Sequence, residues 1–189
     1  MTRRRLGLFG GTFDPPHRGH VAALLAAAAT ERFDVIEVTV AGDPYQKRLS
    51  GAVLPAAARL EMARAAFADL PLVLVSDREI RREGPSYTID TVRELLDEYD
   101  EVDLIIGADL VGQIDTWHEA HTLRALVTVG VVPRPGGEPE VPERWRSYVI
   151  DMEPVDLSST YIRETPLNGD SLEEFLPEKV VPLYVGFRG

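Results

Sequence analysis

Short apolar runs alternate with helical stretches along most of the chain. The apolar runs predict strands at Arg5–Phe9, Val35–Val40, Leu72–Val75, Val102–Ile106, Val127–Val132 and Ser147–Ile150. The stretches between and after them predict helices at about Arg18–Arg32, Pro55–Phe67, Ile89–Tyr99, His118–Leu126, Ser158–Glu164 and Pro177–Phe187. Strands separated by helices indicate an α/β fold, a doubly wound parallel sheet with helices on both faces. Ligands of such sheets bind at the carboxyl ends of the strands.

The length of the chain predicts a single domain. Its 189 residues are 44% hydrophobic and 27% charged, which suits one substantial core. No internal repeat or interdomain linker interrupts the pattern. We therefore expect residues 1–189 to form one domain, with a C-terminal helical part from about 157 to 189 packed on it.

Charge and cysteine content exclude several classes of function. The formal net charge of −11 argues against a generic nucleic-acid-binding protein, so an anionic ligand needs a local cluster of positive groups. The sequence has no cysteine, which rules out disulfides and thiolate chemistry. No apolar run approaches the roughly 20 residues of a membrane span, and the basic N-terminus makes a poor signal peptide. These features predict a cytoplasmic protein.

The segment Gly10–His20 joins the first strand to the first helix and is the strongest candidate site. Glycines and a threonine hydroxyl at such a junction are typical of a phosphate site, because backbone N–H groups and the positive end of the helix dipole converge there. His17 and His20 are three residues apart and would share one face of the first helical turn. Two histidines are too few to hold a metal, and no third ligand lies nearby. We expect them to donate hydrogen bonds to phosphate.

Three other segments carry candidate groups. Lys47 lies in the loop Gly42–Gly51 after the second strand, and Asp109 lies in the loop Gly107–Trp117 after the fourth. Hydroxyl groups of residues 158–160 precede Arg163 at a helix start, where they could hold an anion. Taken alone, each has an ordinary explanation as a solvated side chain or a helix cap. The second histidine pair, His118 and His121, is interpreted as helix surface.

Five segments together resemble bacterial nicotinate-nucleotide adenylyltransferases, members of the nucleotidylyltransferase superfamily. The first loop matches the (H/T)xGH signature. The others are Pro44–Lys47, Pro85–Thr91, Gly107–Asp109 with Thr116–His118, and Ser158–Arg163. Leu157 replaces the commoner isoleucine before the last motif. The matches run in the expected order from residue 7 to residue 163.

The resemblance implies a Rossmann-like nucleotidyltransferase fold and adenylyl transfer from ATP to nicotinate mononucleotide. The products would be nicotinate adenine dinucleotide and pyrophosphate, in NAD biosynthesis. Mg²⁺ would accompany ATP, and no metal site made of protein side chains is expected. Both substrates are small molecules, so neither nucleic acid nor a membrane is an expected partner.

The resemblance also implies roles for individual residues. The catalytic group would be His17, His20, Lys47 and Arg163. The ATP site would comprise Gly10, Gly11, Thr12, Phe13, Gly107, Asp109, Ser158, Ser159 and Thr160. The mononucleotide site would comprise Lys47, Tyr87, Thr88, Trp117 and Arg134. Trp117 would stack on the pyridine ring, and the backbone amides of Tyr87 and Thr88 would hold the nicotinate carboxylate.

Three alternative functions stay open at this point. Phosphopantetheine adenylyltransferases share the first loop and the last motif, but the Tyr87–Asp90 and Thr116–Trp117 elements argue against that substrate. An enzyme preferring nicotinamide mononucleotide is the second alternative. A non-catalytic nucleotide-binding module is the third, and the intact catalytic group disfavours it. The sequence leaves the oligomeric state open, including a homo-oligomer.

Overall fold

One parallel sheet forms the centre of the protein. The structure, a computed structural model, describes residues 3–44, 53–136, 143–164 and 169–188. Within these ranges the sheet has six strands in the order β3-β2-β1-β4-β5-β6, all neighbours parallel. The strands are β1 (Arg5–Gly11), β2 (Val35–Val40), β3 (Val73–Ser76), β4 (Glu101–Gly107), β5 (Thr128–Val132) and β6 (Ser147–Val149). The predicted doubly wound α/β fold is confirmed.

Helices cover both faces of this sheet. The α-helices are α1 (Arg18–Ala29), α2 (Ala56–Phe67), α3 (Arg78–Arg81), α4 (Thr88–Leu96), α5 (Ala120–Leu126), α6 (Ser159–Glu164), α7 (Gly169–Leu172) and α8 (Val181–Arg188). On one face, α1 and α2 pack on side chains such as Val38 and Ile105. On the other face, α4 and α5 pack on side chains such as Leu8 and Leu104. Burial on both faces explains why the four central strands, β1, β2, β4 and β5, read as mostly apolar runs rather than alternating ones.

The strand order places a crevice between β1 and β4. The chain builds β1, β2 and β3 outward to one edge, then crosses back to add β4 on the other side of β1. The connections that leave β1 and β4 therefore diverge to opposite faces at their carboxyl ends. Such a switch point is where doubly wound sheets bind ligands.

Several predicted helix bounds were wrong. The segment predicted as a loop after β4 is a 3₁₀-helix over Ala108–Thr116. The helix predicted from His118 begins only at Ala120. A short helix, α3, was not predicted at all. The last predicted helix is a 3₁₀ turn, Glu178–Val180, that continues into α8.

The C-terminal part packs against α2 around a third apolar cluster. Met62 of α2 is fully buried there, together with Leu176 and Tyr184. The backbone N–H of Arg18 donates to the carbonyl of Phe175 at 2.8 Å, which ties the start of α1 to this part. These contacts agree with a single domain, which stays a prediction. Within the described residues, none of the helices combines the length and apolarity that crossing a bilayer requires.

Candidate active site

A cavity of about 460 Å³ opens at the carboxyl ends of β1 and β4. This volume is within the range of small-molecule sites. Its lining includes most of the predicted site residues: Gly10, Gly11, Thr12, Phe13, His17, His20, Thr88, Gly107, Asp109, Trp117, Arg134, Ser158, Ser159 and Thr160. Tyr87 and Arg163 adjoin this lining without belonging to it. Lys47 lies outside the described residues.

The two histidines of the first loop stack at the start of α1. His17 occupies the N-cap position, is 1% exposed, and its ring centroid lies 3.7 Å from that of His20. The backbone N–H of His17 donates to Nδ1 of His20 at 3.1 Å. Because Nδ1 accepts, a neutral His20 carries its proton on Nε2, which suits donation to a ligand. The predicted pairing of these histidines on one face is therefore present.

Phe13 supports the histidine pair from below. Its ring is 2% exposed and packs at 5.1 Å from the His20 ring and 5.6 Å from Phe67. Gly11 is required beneath it, since a Cβ at that position would lie 2.7 Å from the Phe13 ring. Phe13 lines the cavity, but its burial makes it a support for His20 rather than a surface for base stacking.

The first turn of α6 is bonded to the first loop. Ser159 Oγ donates to the carbonyl of Pro15 at 2.9 Å, and Arg163 donates to the carbonyl of Asp14 at 2.8 Å. Thr160 Oγ1 accepts from Arg163 at 3.1 Å. The serine–threonine motif thus positions the histidine loop as well as lining the cavity.

An ion pair spans the β4 and β5 sides of the cavity. Arg134 Nε lies 3.3 Å from Asp109 Oδ1, and Arg134 also donates to the carbonyl of Leu157 at 3.1 Å. The Asp109 side chain is 58% exposed, so its other oxygen can accept from a ligand hydroxyl. Arg134, predicted as part of the mononucleotide site, contacts Asp109 in this structure.

The predicted mononucleotide side contains an aromatic stack. The Tyr87 ring stacks on His118 with centroids 4.1 Å apart and an interplanar angle of 21°. The Tyr87 N–H donates to the carbonyl of Pro85 at 3.0 Å, whereas Thr88 is the first residue of α4, where N–H groups project from the helix end. Trp117 Nε1 is buried, with no hydrogen-bond partner among the described residues. His118 was interpreted as helix surface; it precedes α5 and pairs with Tyr87 instead.

A family model described as cytidylyltransferase-like matches residues 8–165. The chain belongs to the cytidylyltransferase-like family. Two curated relatives match most of its length. A protein of Exiguobacterium sibiricum named "Probable nicotinate-nucleotide adenylyltransferase" is 39% identical over 178 residues, 93% of each chain. A protein of Geobacillus kaustophilus with the same name is 37% identical over 192 residues, covering 98% of this chain and 85% of the relative.

Solved structures agree with this family on the fold. Plasmodium falciparum nicotinic acid mononucleotide adenylyltransferase complexed with NaAD superposes with a TM-score of 0.78 at 15% identity. The superposition covers 98% of this chain and 96% of that one. At this identity the likeness concerns the cytidylyltransferase-like fold alone.

Sequence reasoning missed a buried arginine behind the site of this cytidylyltransferase-like protein. Arg59 of α2 is 1% exposed and donates to the carbonyls of Leu54, Thr12 and Gly42 at 2.9, 2.8 and 3.3 Å. Burial lowers the pKa of Arg59, and the charge of Asp14 nearby opposes that effect. Arg59 shares the inward face of α2 with Met62 and Ala63, and a charge on an apolar face was the available signal.

Sequence reasoning also missed a buried carboxyl group, that of Glu79 on α3. Glu79 is 8% exposed and lines the cavity. Its carboxyl accepts from Thr91 Oγ1 at 2.7 Å. Burial raises the pKa of Glu79, while the bond from Thr91 and the charge of Arg82 act in the opposite direction.

Proposed function

We propose that this chain transfers the adenylyl group of ATP to nicotinate mononucleotide. A phosphate oxygen of the mononucleotide attacks the α-phosphorus of ATP in line. A new P–O bond forms, the bond between the α-phosphorus and the bridging oxygen breaks, and pyrophosphate leaves with the electron pair. The nucleophile is already an anion, so positioning and charge stabilisation supply the catalysis.

The observation that carries the proposal is the shared cavity. Histidines at a helix start line the same 460 Å³ space as the start of α4 and Trp117. A nucleotide triphosphate and a pyridine nucleotide can therefore meet there. The relatives named as nicotinate-nucleotide adenylyltransferases, which match more than nine tenths of this chain, support the same reaction.

On the ATP side, the stacked pair His17 and His20 donates to the triphosphate as negative charge spreads in the transition state. The backbone of Gly10 to Phe13 approaches the phosphates, and Asp109 accepts from ribose hydroxyls. The first turn of α6, with Ser158, Ser159 and Thr160, holds the departing pyrophosphate together with Arg163. Lys47 bridges the phosphates of the two substrates.

On the acceptor side, Trp117 stacks on the pyridine ring. The N-terminus of α4, beginning at Thr88, presents N–H groups and a positive dipole end to the nicotinate carboxylate. A nicotinamide group would face those donors with its own NH₂, so the acid is favoured over the amide. The stack of Tyr87 on His118 adjoins the lining of the cavity on the acceptor side. Arg134 reaches the mononucleotide phosphate.

ATP enters as its magnesium complex, in which the triphosphate charge is partly neutralised. Among the residues that the structure describes, no three His, Cys, Asp or Glu side chains converge as a metal site. The proposal places the enzyme in the cytoplasm with these small-molecule substrates.

A single assay tests the proposal. The purified protein is mixed with ATP and Mg²⁺, and each acceptor is added separately while pyrophosphate release is followed. Nicotinate mononucleotide should give release and a dinucleotide product by chromatography. Its kcat/KM should exceed that of nicotinamide mononucleotide by at least about tenfold, the value of one well-placed polar contact.

The other acceptors decide between the alternatives. Preference for the amide would assign the chain to nicotinamide mononucleotide, and turnover of phosphopantetheine would assign it to that substrate. ATP binding without any turnover would indicate a non-catalytic module. Any of these three outcomes contradicts the proposal.

A further inference from the structure

The backbone of Gly42 and Asp43, just after β2, is held from the acceptor side by Ser86. Ser86 Oγ accepts from the N–H groups of Gly42 and Asp43 at 3.0 and 3.2 Å. The Ser86 N–H donates in return to the carbonyl of Asp43 at 3.2 Å. Ser86 directly precedes Tyr87 and Thr88, so these bonds attach Gly42–Asp43 to the start of α4.

Arg59 holds the same backbone from the ATP side. One guanidinium nitrogen donates to the carbonyl of Gly42 at 3.3 Å, and another donates to the carbonyl of Thr12 at 2.8 Å. Thr12 belongs to the loop that leads to the histidines. The planar fork of one buried arginine therefore bridges the loop after β1 and the loop after β2.

The contact surface under Gly42 leaves little room for movement. A Cβ on Gly42 would lie 2.4 Å from the carbonyl oxygen of Glu79. The backbone at this position is thus pressed against α3 while it is bonded on both sides. Gly42–Asp43 forms a joint between the two halves of the cavity.

We propose that Arg59 and Ser86 are positioning residues that keep the two halves of the cavity in register through this joint. The inference rests on the proposed function, because register matters when two substrates must align for in-line attack. A displacement of about 1 Å can cost roughly 100-fold in rate. Neither residue needs to contact the reacting atoms.

Ser86→Ala is the first test, since it removes one hydroxyl and leaves the fold's core intact. We expect kcat to fall about tenfold while the Kd for ATP stays within about threefold, because the histidine loop is unchanged. Ser86→Thr restores the hydroxyl and should recover most of kcat. Ser76→Ala is the matched control, since Ser76 Oγ also accepts a backbone N–H, that of Arg78 at 3.2 Å, outside the cavity lining.

Arg59→Lys is the second test, because it keeps the charge and loses the fork. We expect kcat to fall roughly 100-fold and the Kd for ATP to rise more than in Ser86→Ala, because Arg59 also holds Thr12 of the histidine loop. Arg64→Lys on the same helix is the control, since Arg64 is 57% exposed and lies 3.9 Å from Asp77. In the double variant Arg59→Lys with Ser86→Ala, the loss should be smaller than the product of the single losses, because both act on one joint.

The measurements are kcat, KM, the Kd for ATP by calorimetry, and Tm for each variant. Unchanged kcat in folded Ser86→Ala and Arg59→Lys overturns the inference, and so do multiplicative losses in the double variant. If the wild-type protein makes no dinucleotide, the proposed function is contradicted instead. If the wild type is active and the variants keep its kcat, only this inference is contradicted.

Discussion

At the scale of the residue, the hydrogen bond from the His17 backbone orients the His20 ring. With Nδ1 accepting at 3.1 Å, Nε2 is the atom that can donate to phosphate. We expect His20→Ala to lower kcat about 100- to 1000-fold, the usual loss for one transition-state donor. Steady-state kinetics with nicotinate mononucleotide measures the effect. His121→Ala, an exposed histidine on α5, is the control. Turnover equal to that of the control would refute the assignment of His20.

Glu79 provides a residue-scale prediction on pH. Burial raises its pKa above the ordinary value of 4.5, so the folded protein binds a proton there more tightly than the unfolded chain does. That contribution to stability is complete below about pH 4.5 and is lost as the pH rises through the raised pKa. Glutamine does not titrate, so Glu79→Gln does not suffer this loss. The Tm of the variant should therefore rise relative to the Tm of the wild type as the pH increases from 4.5 to 8.

The comparison is made by thermal unfolding at several pH values. Glu61→Gln, an exposed position on α2, provides the matched control and should show no such trend. A difference in Tm between Glu79→Gln and the wild type that is the same at every pH would contradict the prediction.

At the scale of the element, the C-terminal helices support the site from outside the sheet. Leu176 is fully buried in the cluster with Met62, next to the segment that bonds to Arg18. Leu176→Ala should lower the free energy of unfolding by about 2–5 kcal/mol through lost burial and a residual cavity. Urea denaturation measures it, with Leu25→Ala, whose side chain is 44% exposed, as the control. Equal effects at the two positions would show that this cluster adds little stability.

The predictability of elements depended on what stabilises them. The central strands were readable because burial on both faces demands mostly apolar runs, and β2 was predicted with the bounds observed. The helix α3 has no apolar period; it is held by ion pairs of Arg78 with Glu37, Glu94 and Glu98 at 3.0–3.3 Å. Those partners are distant in sequence, so local pattern could not reveal the helix.

Some residues of the candidate site could also be predicted from the sequence, and others could not. The glycines and histidines of the first loop were readable because a phosphate site at a helix start needs those residue types at that spacing. The role of Arg59 was not, because its place on the apolar face of α2 indicates burial but does not name its partners. Its role depends on two carbonyls, at Thr12 and Gly42, that only the folded sheet brings together.

At the scale of the whole molecule, ligand binding should stabilise the fold because both sides of the switch point line one cavity. A dinucleotide product at about 100 times its Kd adds about 2.7 kcal/mol to the folded state. For a chain of this size each kcal/mol corresponds to about 2–4 °C, so nicotinate adenine dinucleotide should raise Tm by about 5–10 °C. Differential scanning calorimetry measures the shift, with the same ionic strength of sodium chloride as the control. A shift no larger than that of the salt would show that the product does not bind the folded chain. A shift that grows with the logarithm of the ligand concentration, as the Kd measured by calorimetry requires, would show that one site accounts for it, because a single ligand at concentration L stabilises the folded state by RT ln(1 + L/Kd).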